Sequence, residues 1–391
     1  MKKRLISVLL VFVMVVGSFS LMGCSKNETP GDSDKGDQGE KVKIGVILYG
    51  YNDDQGKNTK EYCEYLEKNF NVEFVYEATN YNDDAHINSV ENLISAGCKA
   101  IISGYDTSLE SSIQSCEAAK VYYVLALDYA SPSDSKNVNS DYFLGGTMQF
   151  GGDEAALGTA YAEKFLKTDY KNISGVSFPA FAFVEAPEIY NAFKAALEAA
   201  GDYKVSDLVF ASGFTPADVQ TATANAIAAD TQVIFGMSSG LDFVYPELKN
   251  NHPDVKLVAL GYNDSAKALL DAGTLIAGGT NNYIQSIASS FVRIMNAMKG
   301  LSYSDSAQGS YNKTENDLTV VNGVAGYPVY DKDSIEDFVT YAFGRGSDGM
   351  NKGAVTADEI KTVLLSENPN ATLKDLNDLT SRTVEEIKAA R

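Results

Sequence analysis

The chain has 391 residues, and 52 Asp and Glu against 32 Lys and Arg leave a formal net charge of −20. That excess argues against nucleic acid or anionic lipid surfaces as partners, since both need a positive face. Only His86 and His252 are present, far apart in the chain, which leaves little for imidazole-based chemistry.

Met1-Lys2-Lys3-Arg4 precedes an apolar run from Leu5 to Val16, then small residues and Leu21-Met22-Gly23-Cys24. A basic start, a short apolar core and a small-residue junction predict a secretory signal over residues 1–23. The junction ends in Cys, as in a bacterial lipobox, so Cys24 is expected to become the lipidated first residue. The alternative is an uncleaved transmembrane anchor, but Gly17-Ser18 interrupts a stretch already short of about 20 residues. From Ser25 to Glu40 there is no aliphatic or aromatic residue, which predicts a flexible tether over 24–41.

From Val42 onward apolar runs alternate with amphipathic stretches. Strands are expected at Val42–Leu48, Val72–Tyr76, Ala100–Ser103 and Tyr122–Leu127, with helices near 58–69, 84–96 and 109–119. The pattern then restarts. Helices near 153–166, 188–200, 216–229, 241–248 and 265–271 interleave with strands at Phe181–Val184, Ser206–Ala211, Gln232–Phe235, Lys256–Leu260 and Ile276–Thr280. A long helix over 285–299 and a strand at Leu318–Val321 finish the body. Alternation of this kind predicts an α/β fold of two doubly wound parallel sheets. Thr356 and Ser381 begin stretches that read as capped short helices, so residues 346–391 are expected to form a helical appendage on one lobe.

Beyond Cys24, the cysteines are Cys63, Cys98 and Cys116, with no C-x-x-C pair, so small buried hydrophobes are expected; a disulfide between two of them stays open. Asp53-Asp54 and Asp83-Asp84 lack calcium-loop spacing, and neither a metal nor a cofactor is expected. In open parallel sheets ligands sit beyond the carboxyl ends of the strands. The loops there hold Tyr49-Gly50-Tyr51-Asn52-Asp53, Gly104-Tyr105-Asp106-Thr107, Asp128-Tyr129, Glu185-Ala186-Pro187, Met237-Ser238-Ser239-Gly240, Gly261-Tyr262-Asn263-Asp264 and Asn281-Asn282-Tyr283. Amides, carboxylates and Tyr recur, and Lys and Arg are absent from all seven. That chemistry suits a neutral polyhydroxylated ligand, with helix capping as the plainer explanation of each single Asp or Asn.

The lipobox, the tandem α/β halves, the opening KIGVILYG, the segment ENLISAGCKAIIS and the segment GYNDSAKALLDAG together resemble a type I periplasmic binding protein. Within that class the chain is most similar to ribose/galactose-type sugar-binding lipoproteins of ABC importers, over about residues 42–345. The resemblance implies two lobes joined by a three-crossover hinge, lobe 1 being 42–143 plus 281–318 and lobe 2 being 144–280 plus 319–345. It implies ligand positions at Tyr49, Asn52, Asp53, Tyr105, Asp106, Asp128, Asn263 and Asn281. Ser238 and Ser239 stand where the family often has Asn-Asp, and Glu185 and Tyr190 occupy a stretch where it often has Arg; Glu185 and Ser238 are expected to bind the ligand at those places. A monomer is implied, with an ABC permease as partner and the membrane reached through the lipid.

Three other readings are open. Nucleoside-binding lipoproteins share the opening and the lipobox, and Tyr49, Tyr51, Tyr105 and Asp128 suit a purine nucleoside. A ligand-sensing receptor subunit would use the same fold. Gly236-Met237-Ser238-Ser239-Gly240 fits a nucleophile elbow, but His252 is expected at the opposite end of the next strand from Ser238, so no catalysis is expected.

Overall fold

The computed structural model describes residues 40–80, 82–128, 140–148, 153–305, 321–345 and 349–391. The signal segment, Cys24 and nearly all of the tether lie outside these residues, as do Tyr129 and positions 318–320 of the last expected strand.

The first half runs β1 (Val42–Leu48), α1 (Asp54–Asn69), β2 (Val72–Ala78), α2 (Asp83–Ser95), β3 (Ala100–Ser103), α3 (Leu109–Ala119) and β4 (Tyr122–Leu125). Its strands pair in parallel in the order β2-β1-β3-β4. Alternation along β1 sends Ile44, Val46 and Leu48 to a core completed by Tyr62, Cys63 and Leu66 of α1. Ile47 goes to the opposite face, against Val90 and Leu93 of α2 and Ile113 and Cys116 of α3. Both faces are covered, which is why these strands read as nearly unbroken apolar runs. Cys63, Cys98 and Cys116 are free and buried.

The second half runs β5 (Gly146–Met148), α4 (Glu154–Phe165), β6 (Asn172–Ser177), α5 (Ala186–Ala200), β7 (Lys204–Phe210), α6 (Pro216–Ala226) and β8 (Val233–Gly236). A wide helical turn over Gly240–Val244 leads into α7 (Tyr245–Asn251), followed by β9 (Lys256–Leu260), α8 (Ala266–Asp271) and β10 (Leu275–Gly279). After α9 (Tyr283–Met298) come β11 (Val321–Val324), β12 (Val329–Asp331) and the single turn α10 (Ile335–Asp337). The second sheet has the order β12-β10-β9-β8-β6-β7, parallel except for β12 on β10. The short β12 was not foreseen.

One expected strand was wrong. Phe181–Val184 is a turn in which Phe181 and Val184 are 77% and 65% exposed, and the strand is instead Asn172–Ser177. Its residues are small because α5 lies directly on it: a Cβ on Gly175 would stand 2.3 Å from Cε2 of Tyr190. The aromatic run looked more like a strand than the Gly- and Ser-containing segment that became one. Helix α1 also starts four residues early, because Asp53 caps it by accepting from the Gly56 N–H at 2.8 Å.

The chain passes between the sheets four times. β5 and β11, on the first and third passages, form a separate parallel pair. The second passage runs along Gly279–Tyr283 beside Gly326–Pro328, and the fourth leads from Phe343 of the second half back to Ala354 in the first core. Helix α9 returns to the first core with Ile284, Ile287, Phe291 and Val292. Its buried Arg293 donates to the carbonyls of Leu144 (2.8 Å) and Gly146 (3.4 Å) and to Oγ1 of Thr147 (2.9 Å), tying β5 to the helix. Burial brings the Arg293 pKa down to about 9.

The last segment carries α11 (Ala357–Val363), α12 (Leu373–Thr380) and α13 (Val384–Ala389), each opened by a Thr capping box. Val355, Ile360, Val363, Leu376 and Ile387 join the first core, and Tyr62 donates to the Val355 carbonyl at 2.9 Å. Among the described residues no helix is long and apolar enough to cross a membrane.

Candidate functional site

All the expected site residues outside the signal segment lie beyond the carboxyl ends of strands, but they separate into distinct environments. On the first half, Tyr49 follows β1 and stacks on Tyr105, which follows β3, with ring centroids 5.0 Å apart. Gln55 donates to the Tyr105 hydroxyl at 3.4 Å. Burial, then the neighbouring Tyr283, raises the Tyr105 pKa well above its ordinary value, so the phenol stays a proton donor. Asn52 and Asp53 are exposed. Asp128 is half-buried where β4 ends, and its carbonyl accepts from the Thr147 N–H at 3.0 Å.

Asp106 is turned away from this group. Its side chain is fully buried, accepts from the Tyr123 hydroxyl at 2.6 Å and lies 3.3 Å from Nε2 of His86. Burial alone would raise its pKa, but the bonds from His86 and Tyr123 outweigh it and hold the carboxyl below its ordinary value. A carboxylate committed inside the first half, beside Tyr123 and His86, has no oxygen to offer a solute. It is set aside as a ligand residue.

On the second half, Asn263 follows β9. Its amide donates to Oδ1 of Asp242 at 2.7 Å, and its carbonyl accepts from the Ser265 N–H at 3.0 Å. Burial raises the Asp242 pKa and Asp53 raises it further, so acids from the two halves lie within each other's field. Glu185 precedes α5 without capping it; burial raises its pKa, and the acid that acts on it is Glu154 of α4, not the Asp242 group. Asn281 is 8% exposed at the crossover that leads into α9. Thr280 and Tyr283 bond through their hydroxyls at 3.0 Å, and Tyr327 donates to the Gly279 carbonyl at 3.1 Å.

Ser238 has no exposed surface and its hydroxyl has no partner among the described residues. The left-handed residue of the Gly236–Gly240 turn is Ser239 (φ 48°), whereas an elbow would strain the central Ser238. His252 sits before β9 at the other end of the sheet and faces Glu247 at 3.8 Å.

Four participants escaped the sequence reading: Asp54, Asp242, Tyr327 and Arg345. Asp54 was treated as one member of an acidic pair, and its side chain is only 10% exposed. Burial raises its pKa to about 7 despite the opposing pull of Arg345, with Asp264 and Asp242 adding to the rise. No local signal marks Arg345, whose guanidinium donates to Asp264 and Asn58, 81 and 287 positions earlier in the chain.

Residues 44–301 match a family profile described as a periplasmic binding protein domain. Comparison with curated proteins gave no match. Among solved structures, a substrate-binding protein of a sugar ABC transport system from Bordetella parapertussis aligns with TM-score 0.59 at 16% identity, covering 76% of this chain and 91% of that one. A periplasmic solute-binding protein from Actinobacillus succinogenes, holding D-allose, gives 0.58 at 13% identity over 76% and 100%. A solute-binding protein from Bacillus halodurans, holding myo-inositol, gives 0.54 at 15% identity over 78% and 99%. At these identities the likeness is one of fold.

Proposed function

The chain belongs to the periplasmic binding protein family, a family of extracytoplasmic binding proteins and not of enzymes, and on that footing we propose that it captures a small polyhydroxylated solute, a sugar, between two lobes and delivers it to an ABC importer. In this reading residues 42–143 with 281–318 are lobe 1 and 144–280 with 319–345 are lobe 2. Cys24 anchors the mature chain to the membrane, and residues 24–41 are its leash. One observation carries the proposal: hydroxyl, amide and carboxylate groups gather where strands of both sheets end, with Asp53 of one half in the field of the Asp242–Asn263 pair of the other. Carboxylates and amides of this kind bridge vicinal hydroxyls, and the Tyr49–Tyr105 stack offers an aromatic face for the apolar side of a sugar ring.

A thermal-shift screen of monosaccharides, cyclic polyols and nucleosides tests the solute class. Stabilisation by a sugar or polyol supports the reading. Stabilisation by nucleosides alone would replace it with the nucleoside-binding alternative. With a solute in hand, Asp128→Ala and Asn263→Ala are each expected to weaken binding about 5- to 150-fold, the effect of losing a hydrogen-bonded polar group worth about 1–3 kcal/mol. Unchanged affinity in both would mean that the cleft lies elsewhere.

A further inference from the structure

Arg345 is a cation that touches both halves at the mouth of the candidate cleft. It is rooted in the second half, where its backbone N–H donates to the Val339 carbonyl at 3.3 Å and its guanidinium lies 5.5 Å from the ring of the buried Phe343 and 5.8 Å from that of Tyr262. Nη1 donates to Oδ1 of Asp264, in the loop after β9, at 2.9 Å. Nη2 donates to Oδ1 of Asn58, on α1 of the first half, at 2.8 Å, and lies 3.6 Å from Oδ1 of Asp54. One planar fork therefore spans both halves, a geometry that a lysine ammonium cannot reproduce.

The surrounding charge gives the fork its leverage. Asp53 and Asp54 belong to the first half, Asp242 and Asp264 to the second, and the acids of the two sets act on one another. Arg345 acts on Asp54, and Lys57 of α1 is the cation that acts on Asp242. Without Arg345, the contact between α1 and the β9–α8 loop loses the cation that bridges it.

We propose that Arg345 latches the two halves, holding the loop after β9 against the start of α1 and so favouring the approach of the lobes that solute capture requires. Its functional consequence rests on the two-lobe binding reading, but the latch itself operates without solute. It is a positioning residue and touches no ligand in this scheme. Loss of the fork lowers the ratio of approached to separated lobes about 2- to 5-fold, the upper range for an ion pair open to solvent on one side.

The test is small-angle scattering of the mature, unlipidated chain with no solute added, at low salt and in 1 M NaCl. Arg345→Met and Asp264→Ala are each expected to increase the radius of gyration at low salt, and Arg345→Lys to give an intermediate value. The wild type is expected to expand in 1 M NaCl, where the Debye length falls to about 3 Å, while Arg345→Met is expected to respond little. Circular dichroism checks that each variant is folded. Should Arg345→Met fail to fold, Asp264→Ala decides, because that carboxylate is 79% exposed. Wild-type scattering from folded Arg345→Met and Asp264→Ala would overturn the latch, as would expansion in Arg345→Met alone. Because no solute is present, that failure would leave the solute-binding reading untouched, and a failed solute screen would leave the latch standing.

Discussion

Asp54→Asn is expected to stabilise the folded chain at neutral and alkaline pH and to leave it unchanged near pH 4. Burial raises the Asp54 carboxyl from its ordinary 3.8 to about 7, and Asp264 and Asp242 add to the rise while Arg345 and the Asn58 amide oppose it. A raised folded-state pKa means that the native chain holds the proton more tightly than the unfolded chain. That contribution to stability is complete below about pH 4 and is lost as pH rises through about 7. The full span corresponds to about 4 kcal/mol. The asparagine carbonyl can still accept the bond that Asn58 now donates to Oδ2 at 3.0 Å, so most of the span, about 2–4 kcal/mol, should be recovered at pH 8. For the 352 residues from Glu40 to Arg391, unfolding entropy of about 2.1 cal/mol/K per residue makes each kcal/mol worth about 1.4 °C. Melting curves of wild type and variant from pH 4 to 8 should therefore coincide at the acid end and diverge to about 3–5 °C at pH 8. A variant no more stable than wild type at pH 8, or one stabilised equally at every pH, would refute the reasoning.

Asp106→Asn should lower the melting temperature, because the buried bonds with His86 and Tyr123 lose their charge, yet change solute affinity less than about twofold; equilibrium titration beside a melting curve separates the two effects. Ser238 should resist fluorophosphonate reagents, since it is fully buried with no base beside it; intact-mass analysis after labelling would reveal an adduct. Cys24→Ala should shift the protein from the membrane fraction to the soluble or unprocessed pool, and retention of processed protein on membranes would overturn lipid anchoring.

Much of the fold was legible in the sequence. Hydrophobic runs and helical periodicity are local quantities, and they placed β1, β3, α3 and β9 at their observed bounds. They also anticipated which loops end at the carboxyl edge, because strand direction follows once strands and helices alternate. The signal segment and the tether are expectations from composition alone and lie outside the described residues. What only the tertiary structure decided is where side chains point and which distant charges meet. Asp106 and Asn263 were equivalent in the sequence, each a polar residue after a strand, but His86 and Tyr123 draw the first inward while Asp242 meets the second at the cleft. The strand at Asn172–Ser177 was hidden because its small residues answer to Tyr190 on a helix that follows it. Arg345 acquires its role from Asn58, 287 positions earlier, and Asp264, 81 positions earlier. Periodicity reports the environment of a residue's own turn or strand, whereas a bond or a field across the cleft depends on how two sheets have come together.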